Sequence, residues 1–280
     1  LRGMKKTGTA DRVAVSAVLR EMLESNPNIL GTYTGWEPNA FDGRDSASAN
    51  TEGHDASGRF VPYWNRASGK VEVEALVDYD KDGLGDYYML PKKLKHEVII
   101  EPYIYPVGGR KVLMTSLVVP IIIDGTFQGI AGVDIDLADI NARAAKEHPF
   151  GTGNVQLVSN GGLWVAYPKA EVLGKPIEST NAENAAFKER IKAGQGFNQR
   201  GRSVSLGITI ERSVVPINIG ETGTPWAAMV AMPLNEIQAP VHTIRNLLIL
   251  SGALLAAALS GVMVVLASRV VGRPFAGGGQ

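Results

Sequence analysis

Apolar and polar positions follow three different rhythms along this 280-residue chain, and each predicts a different kind of element. Near the start, Val15, Val18, Leu19, Met22 and Leu23 recur at helical spacing, one apolar stripe of an amphipathic helix over 11–24. Asn26-Pro27-Asn28 ends it, because proline disfavours helical backbone in the residue before it. The stretch 31–58, beginning GTYTGWEPNAFDG, is polar and glycine-rich, and reads as an ordered loop pinned by Tyr33, Trp36 and Phe41. From residue 59 a period of two takes over. VEVEALVDY (71–79) alternates as a half-buried strand does, and a turn at Asp82–Gly85 leads to a second run around Tyr87, Tyr88 and Met89. EVIIEPYIYPV, KVLMTSLVVPIII and FQGIAGVDIDL follow, separated by Gly-Gly and Asp-Gly turns, the pattern of an antiparallel meander.

A second unit opens near Gly151. NVQLVSNGGLWVAYP reads as a hairpin turning at Asn160-Gly161-Gly162, and a short helix is expected over 181–192. SVSLGITI, SVVPINI and PWAAMVAMP read as strands, and a helix starts near Pro233. The third rhythm is no rhythm at all. Leu247 to Ala267, LLILSGALLAAALSGVMVVLA, carries no charge over 21 residues. At about 1.5 Å per residue it is long enough to cross a hydrocarbon core of about 30 Å. Arg269 and Arg273 follow it and Arg245 precedes it, so the small basic excess puts the C-terminal end in the cytoplasm and the large domain outside. Ala253, Ala257 and Gly261 recur on one face, a seam that suits close helix–helix approach.

Composition changes this picture little. Lys+Arg and Asp+Glu stand at 28 each, so no net field favours nucleic acid. The absence of cysteine fits an oxidising compartment, and 32 glycines with 15 prolines fit a turn-rich, β-rich domain. The chain begins at Leu1 without a signal peptide and stops in AGGGQ, and so reads as a fragment of a longer protein. The fold class is α+β, two small modules stacked along long helices.

These strings in this order resemble the double Cache sensory domain of bacterial methyl-accepting chemotaxis proteins. The resemblance runs over about 10–275 and rests on WEPNAFDGRD (36–45), GRFVPYWNR (58–66), EPYIYPVGGRKVLMTSLVVPI (101–121), GIAGVDIDL (129–137) and TPWAAMVAMP (224–233). RVVGRPF (269–275) resembles the start of a HAMP linker. The resemblance implies tandem PAS-like modules. Residues 1–30 form part of a long N-terminal helix, 31–148 the membrane-distal module with the ligand site, and 149–232 the membrane-proximal module. Residues 233–268 are the connecting and transmembrane helix, and 269–280 the truncated HAMP-like linker. It further implies a periplasmic sensor on the inner membrane, a first membrane helix upstream, a homodimer, and cytoplasmic signalling partners reached through a C-terminal region beyond this chain. Histidine kinases and diguanylate cyclases carry the same sensor, so the output class stays open.

In members that bind amino acids, the distal pocket uses Arg-x-Trp-Tyr, a Tyr-x-Asp pair and an Asp in G-x-D-I-x-L. Here Asp134 holds the last position, Tyr103 matches the Tyr of the pair, and Tyr105 replaces its Asp. The local motif is VPYW, so Tyr63 and Trp64 take the aromatic pair and Val61 stands where the arginine belongs. Arg59, two residues earlier, is the substitute cation, and Ser116 is a candidate pocket-lining residue. Without the bidentate guanidinium that a carboxylate ligand wants, aromatic faces and one acid remain. Such a box suits an amine or a nitrogen heterocycle by cation–π contact and charge-assisted hydrogen bonding. An amino acid stays open if Arg59 lies inside.

Other readings are weaker. DYDKDGLGD (78–86) places Asp78, Asp80 and Asp82 like a calcium loop, but Met89 stands where a bidentate glutamate is needed, so it reads as a solvated hairpin. The four histidines are scattered without ligand spacing, and no nucleophile elbow, P-loop or cysteine appears. An enzyme is therefore not expected, nor a metal or cofactor. A purely structural ectodomain is the remaining alternative.

Overall fold

The computed structural model describes residues 1–178, 182–202 and 208–271. Helix α1 (Arg2–Lys6) and helix α2 (Arg12–Ser25) come first. They are separate, so residues 1–30 do not form one continuous helix as expected from the resemblance. Asp11 sets the break, because its side chain accepts the Ala14 amide and caps α2. Only Val15, Leu19 and Leu23 of the predicted stripe are buried; Val18 and Met22 stay 46% and 45% exposed.

The first sheet has the order β3-β2-β1-β7-β6-β4, with β5 also paired to β6. Its members are β1 (Gly31–Trp36), β2 (Pro62–Asn65), β3 (Glu72–Ala75), β4 (Val98–Ile99), β5 (Tyr103–Val107), β6 (Arg110–Ile123) and β7 (Thr126–Asp136). The meander read from 97–137 is present. Two expectations fail here. Residues 31–36 are not loop but a strand, every residue buried, held between β2 and β7. The run around Tyr87 is not strand but helix α3 (Asp86–Leu94), with Asp86 in its first turn and Lys92 and Lys93 in its last, as the helix dipole favours.

The two sheet faces have different covers. Thr32 donates to the Leu19 carbonyl and Trp64 donates to Ser16, so α2 lies on one face. Tyr33, Tyr63 and Ile130 point to the other, where Tyr87 and Tyr88 of α3 join their core. On the α2 side a groove of about 590 Å³ remains, lined by Val18, Met22, Leu117, Val119 and Val133.

Helix α4 (Leu137–Ala144) follows β7 directly and leads to the second sheet, ordered β10-β11-β12-β8-β9. These strands are β8 (Asn154–Val158), β9 (Trp164–Ala166), β10 (Phe197–Arg202), β11 (Thr209–Ile217) and β12 (Trp226–Pro233), with helix α5 (Ala182–Lys192) packed against β12. The predicted strand SVSLGITI falls largely on 203–207, outside the described residues. FNQRGR before it is a strand the periodicity did not reveal, and Thr209-Ile210 join ERSVVPI in the single strand β11. Helix α6 (Leu234–Val271) continues from β12 without a break and contains the whole uncharged run. By length and hydropathy it is a candidate membrane span, with none of its apolar window buried. Of the linker segment 269–280, residues 272–280 lie outside the described residues.

Ile130, fully buried at the centre of β7, tests this core. Ile130→Ala is expected to cost about 2–5 kcal/mol in urea unfolding, against less than about 1 kcal/mol for Val119→Ala at the exposed groove.

Candidate ligand-binding site

Strand pairing brings the site together. In register, Tyr33 on β1 faces Tyr63 on β2 and Gly132 on β7, while Asp134 on β7 faces Ser116 on β6. A side chain at Gly132 would have its Cβ 2.4 Å from the Tyr33 ring, and one at Gly31 would have its Cβ equally close to Tyr63. The two glycines therefore make room for the two rings to lie across the sheet.

Four tyrosines close a circuit of edge-to-face contacts. Tyr33–Tyr63, Tyr63–Tyr105, Tyr105–Tyr87 and Tyr87–Tyr33 have ring centroids 5.7, 6.1, 5.7 and 5.8 Å apart. Tyr103 adds a fifth ring, 6.1 Å from Tyr105. Edge-to-face packing points partly positive ring edges at partly negative faces, so the arrangement is favourable in itself. Tyr105 is pinned by its hydroxyl, which accepts the Val77 amide at 3.0 Å.

One acid lies beside the rings. Asp134 is 2% exposed, and its Oδ1 accepts the Ser116 hydroxyl at 2.6 Å. Ser116 in turn shares a hydrogen bond of 2.7 Å with the Tyr103 hydroxyl. The Tyr63 hydroxyl helps to hold the charge of Asp134, although neither it nor the buried Tyr33 hydroxyl completes a hydrogen bond. Burial pushes the Asp134 carboxyl up from 3.8 to about 6, with the Ser116 and Tyr63 hydroxyls opposing. Desolvation, then the field of Asp134, pushes the Tyr33 and Tyr63 hydroxyls well above their ordinary value. Among the described residues no cation makes an ion pair with Asp134.

Of the residues singled out by sequence, the structure brings Tyr63, Tyr103, Tyr105, Ser116 and Asp134 together. Two are elsewhere. Trp64 points to the opposite face, donating to Ser16 at 2.8 Å beneath Arg20, because neighbours in a strand cannot share a face. Arg59 is 8% exposed, but it lies 4.5 and 4.8 Å from the Tyr79 and Tyr88 rings, pairs with Glu37 at 3.7 Å and donates to the Trp36 carbonyl. None of these partners belongs to the cage. Asp136, two residues from Asp134, instead caps α4. Tyr33 and Tyr87 were missed, although the Gly31-x-Tyr33-x-Gly35 spacing already placed one large ring between two vacant positions on a single strand face.

The acid carries a stability consequence. A carboxyl raised in the folded protein binds more protons there than in the unfolded chain, so its contribution falls as pH rises from about 4 through 6. The gap between 3.8 and about 6 corresponds to roughly 3 kcal/mol. Asp134→Asn is therefore expected to raise the calorimetric Tm of the ligand-free protein at pH 7.5 by several degrees and to flatten its pH dependence between 5 and 7. A lowered Tm would contradict this.

Known proteins share this architecture. Residues 15–142 match the family model described as methyl-accepting chemotaxis protein-like, first PDC sensor domain. The methyl-accepting chemotaxis protein TlpQ of Pseudomonas aeruginosa is 28% identical over 92% of this chain and 39% of its own length, so the chain spans about two fifths of that relative. The extracellular domain of mmHK1S-Z3, assigned as a histidine kinase, is 34% identical over 86% of this chain and 88% of its own, with a TM-score of 0.76. A structure of methyl-accepting chemotaxis protein X is 27% identical over 82% of this chain and 84% of its own, with a TM-score of 0.69. The fold, the family model and these relatives agree, and the chain belongs to the PDC (Cache) sensor domains of the methyl-accepting chemotaxis protein type.

Proposed function

We propose that this chain is the periplasmic sensor of an inner-membrane chemoreceptor and that the tyrosine cage takes a small nitrogen cation, an amine or a protonated nitrogen heterocycle. The supporting observation is Asp134, a carboxyl buried among tyrosines with no cation paired to it among the described residues. Burying an uncompensated charge is costly, and a ligand cation would remove the cost. Tyr33, Tyr63, Tyr87, Tyr103 and Tyr105 offer ring faces, each contributing about 0.5–2 kcal/mol to a desolvated cation. Asp134 supplies the counter-charge, and Ser116 and Tyr103 hold it in place. With Arg59 engaged by Glu37, the cage offers no guanidinium to a ligand carboxylate, which disfavours plain amino acids.

The chain would bind without turnover. Occupancy would favour one arrangement of the modules by differential affinity, and α6 would carry that bias across the membrane, within a homodimer, to cytoplasmic signalling proteins. The 34% identity to the extracellular domain assigned to a histidine kinase supports a second reading, in which the same sensor drives a kinase.

Thermal-shift and calorimetric titration with amino acids, polyamines, quaternary amines, purines and organic acids tests the ligand class. A saturable Tm rise is expected for a cationic member, abolished by Asp134→Ala and kept in Arg59→Lys. Affinity should weaken as pH falls below about 6, approaching tenfold per unit, because Asp134 must be ionised to bind a cation. A response confined to organic acids or neutral zwitterions would overturn the assignment.

A further inference from the structure

Three residues connect the cage to the second sheet. Glu101, Pro102 and Tyr103 are consecutive, and the two ends are engaged on opposite sides of the boundary between the sheets. At one end, the Tyr103 hydroxyl is bonded to Ser116, which is bonded to Asp134. At the other end, the Glu101 carboxylate accepts the Gly161 amide at 2.8 Å and the Ser159 hydroxyl. Pro102 between them is buried, and its ring fixes φ, which removes one of the backbone torsions separating the two ends. The backbone just before Glu101 is also tied to the site strand. The Ile100 amide donates to the Ser116 carbonyl at 2.9 Å, and Thr115 donates to the Ile100 carbonyl at 2.6 Å.

The receiving turn is built for this contact. A Cβ on Gly161 would come 2.9 Å from Glu101 Cδ, so a side chain there would push the carboxylate away. Ser159 is fully buried, and its oxygen also accepts the Leu163 amide at 3.0 Å, which closes the turn. Between them, Asn160 donates to the Pro225 carbonyl at 2.9 Å. Pro225 immediately precedes β12, and β12 runs without a break into α6.

We propose that Glu101 is a positioning residue that reports the state of the tyrosine cage to the turn at 159–162, and through Pro225 to the strand that enters the membrane helix. The proposal rests on the cage as the sensing site, but its test needs no ligand. The two halves also share an apolar cluster that includes Ile99, Leu113 and Trp226, and two further hydrogen bonds between them serve as comparators. Glu97 accepts the Glu221 amide, and Asn141 on α4 accepts the Tyr167 amide at 2.8 Å. Neither passes through Tyr103.

Hydrogen exchange on the full chain in detergent micelles reads the coupling directly. Tyr103→Phe deletes the cage end of the lever and is expected to raise exchange at the Gly161 amide at least threefold, leaving the Tyr167 amide within twofold. Tyr105→Phe, whose hydroxyl bonds Val77 instead of Ser116, should leave Gly161 unchanged. Glu101→Ala should raise Gly161 exchange by itself, and adding Tyr103→Phe to it should change nothing further. Circular dichroism melting of each variant establishes that it folds. An unchanged Gly161 amide in Tyr103→Phe, an equal rise in Tyr105→Phe, or an additive rise in the double variant would each overturn the proposal. A shift at Tyr167 alone would assign the route to α4. Because no amine is present, these failures leave the ligand reading standing, and a failed amine titration leaves this one standing.

Discussion

Burial of one carboxylate without a paired cation, that of Asp134, shapes the half of this protein built on the first sheet. Asp134 sits on the inner face of a central strand, removed from water and held by a serine hydroxyl in place of a cation. Everything around it follows from that constraint. The tyrosines pack edge to face beside it, the glycines at 31 and 132 open space for two of those rings, and Ser116 and Tyr103 form a chain of hydroxyls that ends on the carboxylate. A site that leaves an acid short of a partner gives up stability in the ligand-free state. Under the proposed function that same deficit would make occupancy consequential, because a bound cation would supply what the protein leaves out.

The two faces of the first sheet divide the work. One face, under α2, is ordinary packing around Val15, Leu19, Trp36 and Phe41. The other carries the cage and α3, whose neighbouring tyrosines split between tasks. Tyr87 joins the cage, while Tyr88 hydrogen-bonds Glu37 and stacks near Arg59. Arg59 is thus spent on holding the adjoining cluster of Glu37, Tyr79 and Lys92, which explains how an arginine can lie close in sequence to the aromatic motif without serving it.

Much of this was legible in the chain before any coordinates. The amphipathic α2, the Gly-Gly and Asp-Gly hairpins and the uncharged run are local signals, and local signals survive translation into structure. Strand β1 was not legible, because GTYTGW is buried on both faces and shows neither alternation nor a run of branched residues. Helix α3 was hidden by two tyrosines, a strand-favouring residue type, and was decided instead by its charged ends and by packing against β6 and β7. Within the site, Asp134 was reached through the resemblance, by its place in GIAGVDIDL. Tyr33 and Tyr87 were not, since their neighbours in space are remote in sequence. Trp64 was assigned against the strand's own period of two, which permits only one of Tyr63 and Trp64 to face the cage.

The account turns on the charge state of one side chain, and carboxyl-carbon NMR of Asp134 measures it. In the ligand-free protein the account predicts titration near pH 6. Saturation with an alkylammonium ion that raises the melting temperature should drive that midpoint below about 4, as a bound cation favours the ionised form. An Asp134 that titrates in the ordinary carboxylate range when the site is empty, or whose midpoint does not move with the ammonium ion bound, would contradict it.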